Sequence, residues 1–194
     1  MINSTGKRNA GYIKTHQLLV NSYIIIAKKK HYSQITVTEL SKAANVNRVT
    51  FYKHFQGAWG IKDFIEKRVV DFVDMVHEKY RGVDLINNSK IVFDFVNQWI
   101  HEKNAGYLDI YQMKGSGVFS KAIVDRIKYH FKNDYFVKFH SEPPEDKMFA
   151  VSYLLGGIIY TYHDLLEGVL KCSPEQVSLY LSSHTKELPS YIER

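Results

Sequence analysis

Residues 35–55 read ITVTELSKAANVNRVTFYKHF, and the reading of this stretch decides the fold. Thr38 stands ahead of a short helical run from Glu39 to Ala44, and Asn47 ahead of a second from Arg48 to His54. Side-chain oxygens at those places suit the unpaired N–H groups of a helix start. Two short helices at this separation have the spacing of a helix-turn-helix. Leu40, Ala44, Val46, Phe51 and Phe55 fall where the two helices bury side chains against each other and a preceding helix, and Ser41 and Ala44 are small enough for close approach. Asn45 occupies the turn, where positive φ is often needed and Asn tolerates it. Arg48, Val49, Thr50, Tyr52, Lys53 and His54 are left largely free, which makes this a contact surface rather than a polar core helix.

The charge around the stretch agrees. Residues 1–56 carry nine Lys or Arg against one acid, Glu39, a balance of +8, whereas the whole chain of 194 residues carries +6. A positive segment on a nearly neutral body points to a polyanion-binding part and a part with another task; the plainer alternative is a solvated basic face. Cys172 is the single cysteine, so no internal disulfide forms, as in a reducing compartment. No signal-peptide pattern and no apolar run of the roughly 20 residues that span a bilayer is present, so a cytoplasmic protein without a membrane partner is expected.

Period-3.6 apolar patterns recur while strand-like alternation is scarce, so the fold is expected to be all-α. A first helix is predicted from residue 7 or 11 to 30, and a long one over 58–80 follows the break at Gly57 and Gly60. Further helices are predicted at 89–103, 107–113, 118–139, 144–168 and 173–185. The last has the best start signal: SPEQ at 173–176 puts Ser at the cap, Pro at the first helical position and Gln where it completes a capping box. Two domains are expected, a helix-turn-helix domain over 1–57 and a larger helical domain over 58–194.

The stretch ITVTELSKAANVNRVTFYKHF resembles the DNA-binding segment of the tetracycline-repressor-like (TetR) family, whose motif ends in an aromatic-Tyr-x-His-Phe signature, here TFYKHF. Departures are Asn45 where glycine is usual, Ser41 where alanine is, and QGAWG at 56–60, which puts Ala58 where a lysine often reaches a phosphate. The resemblance implies a three-helix DNA-binding domain fused to a dimerisation and ligand domain, with the second short helix in the major groove of double-stranded DNA. Arg48 then suits a guanine edge or a phosphate, and Val49 a thymine methyl. Thr50, Tyr52, Lys53 and His54 suit the DNA backbone, as does Thr38 at its helix start, and Asn47, which caps the reading helix, is counted with them among the DNA-binding residues. LLGGIIYTYHDLLEGVLKCSPEQV, in the C-terminal region, resembles the subgroup related to the dihydroxyacetone-kinase regulators.

The family likeness implies a homodimer that often encloses an effector. For a small apolar or aromatic effector the candidate residues are Phe95, Trp99, Tyr107, Tyr111 and Phe131, although large side chains at such density more often form plain core. For the dimer interface they are Leu154, Gly157, Ile158, Thr161, Leu165, Val177 and Tyr180, because the 144–168 helix is apolar on more than one face and carries a glycine pair. The alternative is that the glycines admit a neighbouring helix of the same chain. Nine scattered histidines form no HxxxH or CxxC pattern, so no metal or other cofactor is expected. With no phosphate-binding loop or nucleophile elbow, an enzyme is not expected either. The reading is a DNA-binding transcriptional regulator, a repressor on a palindromic operator; the rival is a protein-interaction module with weak DNA affinity, which the altered QGAWG segment permits.

Overall fold

The computed structural model describes residues 10–83, 85–103 and 112–186, and among them every regular element is helical. These are α1 (Ala10–Ala27), a 3-10 turn (Tyr32–Gln34), α2 (Val37–Ala43), α3 (Arg48–Tyr52), α4 (Ala58–Lys79), α5 (Leu85–Lys103), α6 (Gly117–Phe139), α7 (Glu145–Leu166) and α8 (Pro174–Lys186). The helix expected at 107–113 begins outside the described residues. No described helix is long and apolar enough to cross a membrane. The chain divides into two compact units, Met1–Lys67 with Gln112–Ser116, and Arg68–Tyr111 with Gly117–Arg194. The division falls inside α4 rather than at its start, because the first turns of α4 pack into the first unit: Phe64 meets the rings of Phe55 and His16.

In the first unit, α1 buries Leu19, Val20, Tyr23, Ile24 and Ala27, an i, i+3, i+4 stripe along one face. The start of α2 differs from expectation. Thr36, not Thr38, is the N-cap: its Oγ1 accepts from the Glu39 N–H, and Glu39 Oε2 accepts in return from the Thr36 N–H at 3.0 Å. The pattern T-x-x-E places the carboxylate three residues after Thr36, whereas three after Thr38 stands Ser41, which is buried. Asn45 adopts φ 52°, as the turn requires. At its far end α3 stops at Tyr52, because the Lys53 N–H is shared between Val49 and Thr50 carbonyls and the His54 N–H turns to Phe51, tightening the last turn. The distant segment 112–116 joins this unit. Met113 is buried, the Lys114 N–H donates to the Ala27 carbonyl at the end of α1, and Gly115 at φ 87° lies so close to His31 and Tyr32 that a Cβ would clash.

In the second unit α5 packs along α8, and α6 against α7. Asn88 kinks α5 at φ −122°, one residue before the helix start expected from the sequence. The SPEQ start of α8 forms as a reciprocal box, Ser173 N–H to Gln176 Oε1 at 2.8 Å and Gln176 N–H to Ser173 Oγ at 3.2 Å. Asn97 Nδ2 donates to the Pro174 carbonyl and to Ser178 Oγ, both at 2.8 Å, pinning α5 to that start. Gly168, at φ 75°, ends α7: its N–H reaches the Leu165 carbonyl and the Val169 N–H the Asp164 carbonyl, a Schellman closure.

Candidate functional site

The helix α3 is fixed on one face and open on the other. Phe51 is fully buried and Phe55 nearly so, which fixes its inner face. Asn47 Oδ1 accepts from the Thr50 N–H at 2.7 Å, so both side chain and backbone at its start are committed to shape. Outward stand Arg48 and Lys53, exposed, with Val49 68% and Tyr52 51% exposed. Thr50 is half-buried beside them, and Thr38 is exposed within the first turn of α2. An exposed valine between cations has no packing role to explain it, and suits a methyl group in a groove.

His54 is placed differently from the expected backbone contact. It is half-buried, its ring stacked on Tyr12 at 4.1 Å and 5.6 Å from His16, both on α1. The tightened turn after Tyr52 brings its ring back onto α1. Across α1 and α2, Lys30 Nζ lies 2.6 Å from Glu39 Oε1. That ammonium first, then the Thr36 hydroxyl and N–H, lowers the Glu39 carboxyl to about 2. Sequence reasoning missed Thr36, although the T-x-x-E spacing was its signal.

The second unit holds a cavity of about 340 Å³ within its own helices α4 to α8. Its walls are aliphatic and aromatic, with Val73, Phe93, Phe119, Ile127, Leu155 and Trp99 among them. Trp99 stacks on Phe72 at 3.7 Å. Of the other residues expected to line it, Tyr107 and Tyr111 lie outside the described residues. Phe95 and Phe131 are not on its wall. Phe95 is turned about 100° from Val96, which is, and packs under Lys79 Nζ at 3.8 Å; Phe131 is turned about 100° from His130 and contacts Tyr135. Among the lining residues that were not expected are His77 and His130, stacked at 3.8 Å. Their signal was position: His77 continues the stripe Val69, Val73, Val76, and His130 continues Phe119, Ile123, Ile127. Arg126 forks onto Asp74, at 2.5 and 2.8 Å, and holds that carboxyl below the ordinary range; His130 shares the same carboxylate. Among the described residues no group of three or more metal-binding side chains occurs.

The residues expected at a dimer interface scatter. Val177 is buried in the chain's own core with Phe93, Tyr162 and Leu181, and Leu165 packs on that cluster. Leu154 and Ile158 line the cavity. They face inward because the apolar residues of α7 serve the cavity. Gly157 is exposed, Thr161 is half-buried with its hydroxyl donating to the Gly157 carbonyl, and Tyr180 is exposed. Opposite Ile158, α7 instead shows Phe149, Tyr153 and Tyr160, each more than 70% exposed, with Gly156 between them. Among the described residues, nothing approaches within 4 Å of where a Cβ would stand on Gly156 or Gly157, so the glycine pair makes room for no neighbour among them.

No protein-family model matches the sequence, and no curated protein does. Solved structures resemble it. A tetR-family transcriptional regulator from Streptomyces coelicolor matches 90% of this chain and 82% of its own at a TM-score of 0.57 and 15% identity. The fatty acid degradation regulator FadR from Bacillus halodurans matches 93% of this chain and 96% of its own, with a TM-score of 0.57 and 13% identity. At these identities the likeness is one of fold: an N-terminal helix-turn-helix domain followed by a larger helical domain.

Proposed function

We propose that the chain is a TetR-family transcriptional regulator of double-stranded DNA, a cytoplasmic repressor that binds a palindromic operator as a homodimer and is released by a small apolar effector. The observation that carries this is the outer face of α3, where Arg48, Val49, Tyr52 and Lys53 are presented to solvent on a segment of net charge +8. Phosphate contacts set register and base-edge contacts set sequence, and this face carries groups for both. The dimer forms on the aromatic outer stripe of α7, with Tyr180 of α8 also exposed. The effector occupies the cavity of the second unit, and it shifts DNA affinity only by its preference for one of two states.

Fluorescence anisotropy with a duplex from the DNA adjoining the chain's own gene, against a scrambled duplex, tests the reading. Preferential binding to the first, falling steeply as salt rises, is expected. Equal weak binding of both duplexes would favour the rival, a protein-interaction module.

A further inference from the structure

The cavity is apolar over most of its wall, and His77 and His130 are among its few polar side chains. Their rings stack at 3.8 Å with 14° between the planes. His77 Nε2 lies 2.9 Å from Asp134 Oδ2, and His130 Nε2 lies 2.7 Å from Asp74 Oδ1. A carboxylate only accepts, so each Nε2 carries the ring proton and donates it. Arg126, forked onto Asp74, fixes that carboxylate and through it the orientation of His130. In a neutral imidazole whose Nε2 is the donor, Nδ1 is a bare lone pair. Among the described residues no group takes up either Nδ1. The hydroxyls of Ser89 and Thr185, also on the wall, bond each other at 2.5 Å.

The geometry points to a ligand that is hydrocarbon over nearly all its surface and carries one hydroxyl, which donates to Nδ1 of the His77–His130 pair. This deepens the effector reading and rests on the same cavity. The volume of about 340 Å³ falls at the small end of the ~300–1,000 Å³ of small-molecule sites, so one such molecule fills it. An ether of the same shape has no proton to offer Nδ1. A carboxylate would set its own lone pairs against those of the rings.

Calorimetric titration of the full chain with para-octylphenol, its methyl ether para-octylanisole, and para-octylbenzoate tests this. The phenol is expected to bind about tenfold more tightly than the ether, the worth of one buried hydrogen bond. In the double variant His77→Phe/His130→Phe, which keeps two stacked rings but removes both acceptors, phenol affinity should fall to that of the ether while ether affinity stays unchanged. No phenol binding, equal affinities for phenol and ether in the parent protein, tightest binding of the benzoate, or a phenol preference that survives in the double variant would overturn the assignment. The comparison in the parent protein decides the matter even if the variant does not fold. No DNA is present in these titrations, so their outcome stands apart from whether the first unit binds an operator.

Discussion

Arg48 and Lys53 leave the same short helix for solvent, yet they make different demands on a nucleic acid. A guanidinium can fork onto a guanine edge, whereas an ammonium is a point charge that meets phosphates without regard to sequence. Arg48→Ala is therefore expected to cost about 1–3 kcal/mol on the preferred duplex and less on a scrambled one. Lys53→Ala should weaken both alike and reduce the salt slope by about one. Anisotropy titrations of both variants on both duplexes check this; parallel losses for Arg48→Ala would reassign it to the backbone. A second residue carries a cost instead of a function. Tyr23 is buried with no hydrogen-bond partner for its hydroxyl among the described residues, and burial pushes the phenol's pKa up. Tyr23→Phe should leave DNA affinity alone and stabilise the chain by about 1 kcal/mol, read from denaturant unfolding, since an unpaired buried hydroxyl is unfavourable. At this scale the sequence was legible wherever a residue type answers a local demand: Asn45 at positive φ and Asn47 at a cap are such cases. It was silent where packing decides. Nothing adjacent to His54 in the chain announces that it stacks on Tyr12, a neighbour only in space.

Helix starts show the same contrast at the level of elements. The SPEQ box of α8 was readable because cap and partner sit at the right interval, and Thr36 was readable by the same rule but lay two residues before the threonine that the expected boundary favoured. Thr36→Ala is expected to destabilise the first unit by about 1 kcal/mol, while Thr38→Ala, exposed inside α2, should be nearly neutral in stability. Thermal melts of the two variants would sink the cap assignment if the losses were equal. Glu39 adds a pH dependence to the same box. Its carboxyl is lowered from 4.5 to about 2, chiefly by the hydrogen bond from Lys30, so it favours the folded state above pH 4.5 and loses that contribution as pH falls towards 2. Glu39→Gln should flatten this part of the acid limb in melts recorded across that range, by a modest amount because the pair is solvent-exposed and screened by salt. Side-chain direction around a helix was harder to read than its ends. Phe95 and Phe131 were chosen for size, yet a turn of about 100° per residue sets each beside a lining residue and off the wall, and hydrophobicity alone does not choose between neighbours.

For the whole molecule, the question is what covers the outer side of α7. One short reading helix spans few base pairs, so a selective operator needs two heads related by a two-fold axis, with half-sites a helical turn or a multiple of it apart. The sequence pointed to the side of α7 that carries Leu154 and Ile158, and both line the cavity within the chain. The side left outward is aromatic: Phe149, Tyr153 and Tyr160 are 72%, 71% and 72% exposed, and each large ring removed from water contributes about 1.5–3 kcal/mol. Gly156 lies in the middle of that stripe with open space where its Cβ would be, so a larger residue there meets nothing within one copy. Gly156→Leu should consequently raise the helical stability of a single copy by about 1 kcal/mol, while forcing apart two copies whose backbones approach at the glycine. Sedimentation of the parent at micromolar concentration should show a dimer and the variant a shift to monomer, with operator affinity falling in step and far-UV circular dichroism unchanged. A parent that sediments as a monomer, or a variant still dimeric with full operator affinity, would remove the dimer from this face. Pairing through α7 would then have no basis in its aromatic stripe, and the two-headed reading of the operator would need another surface.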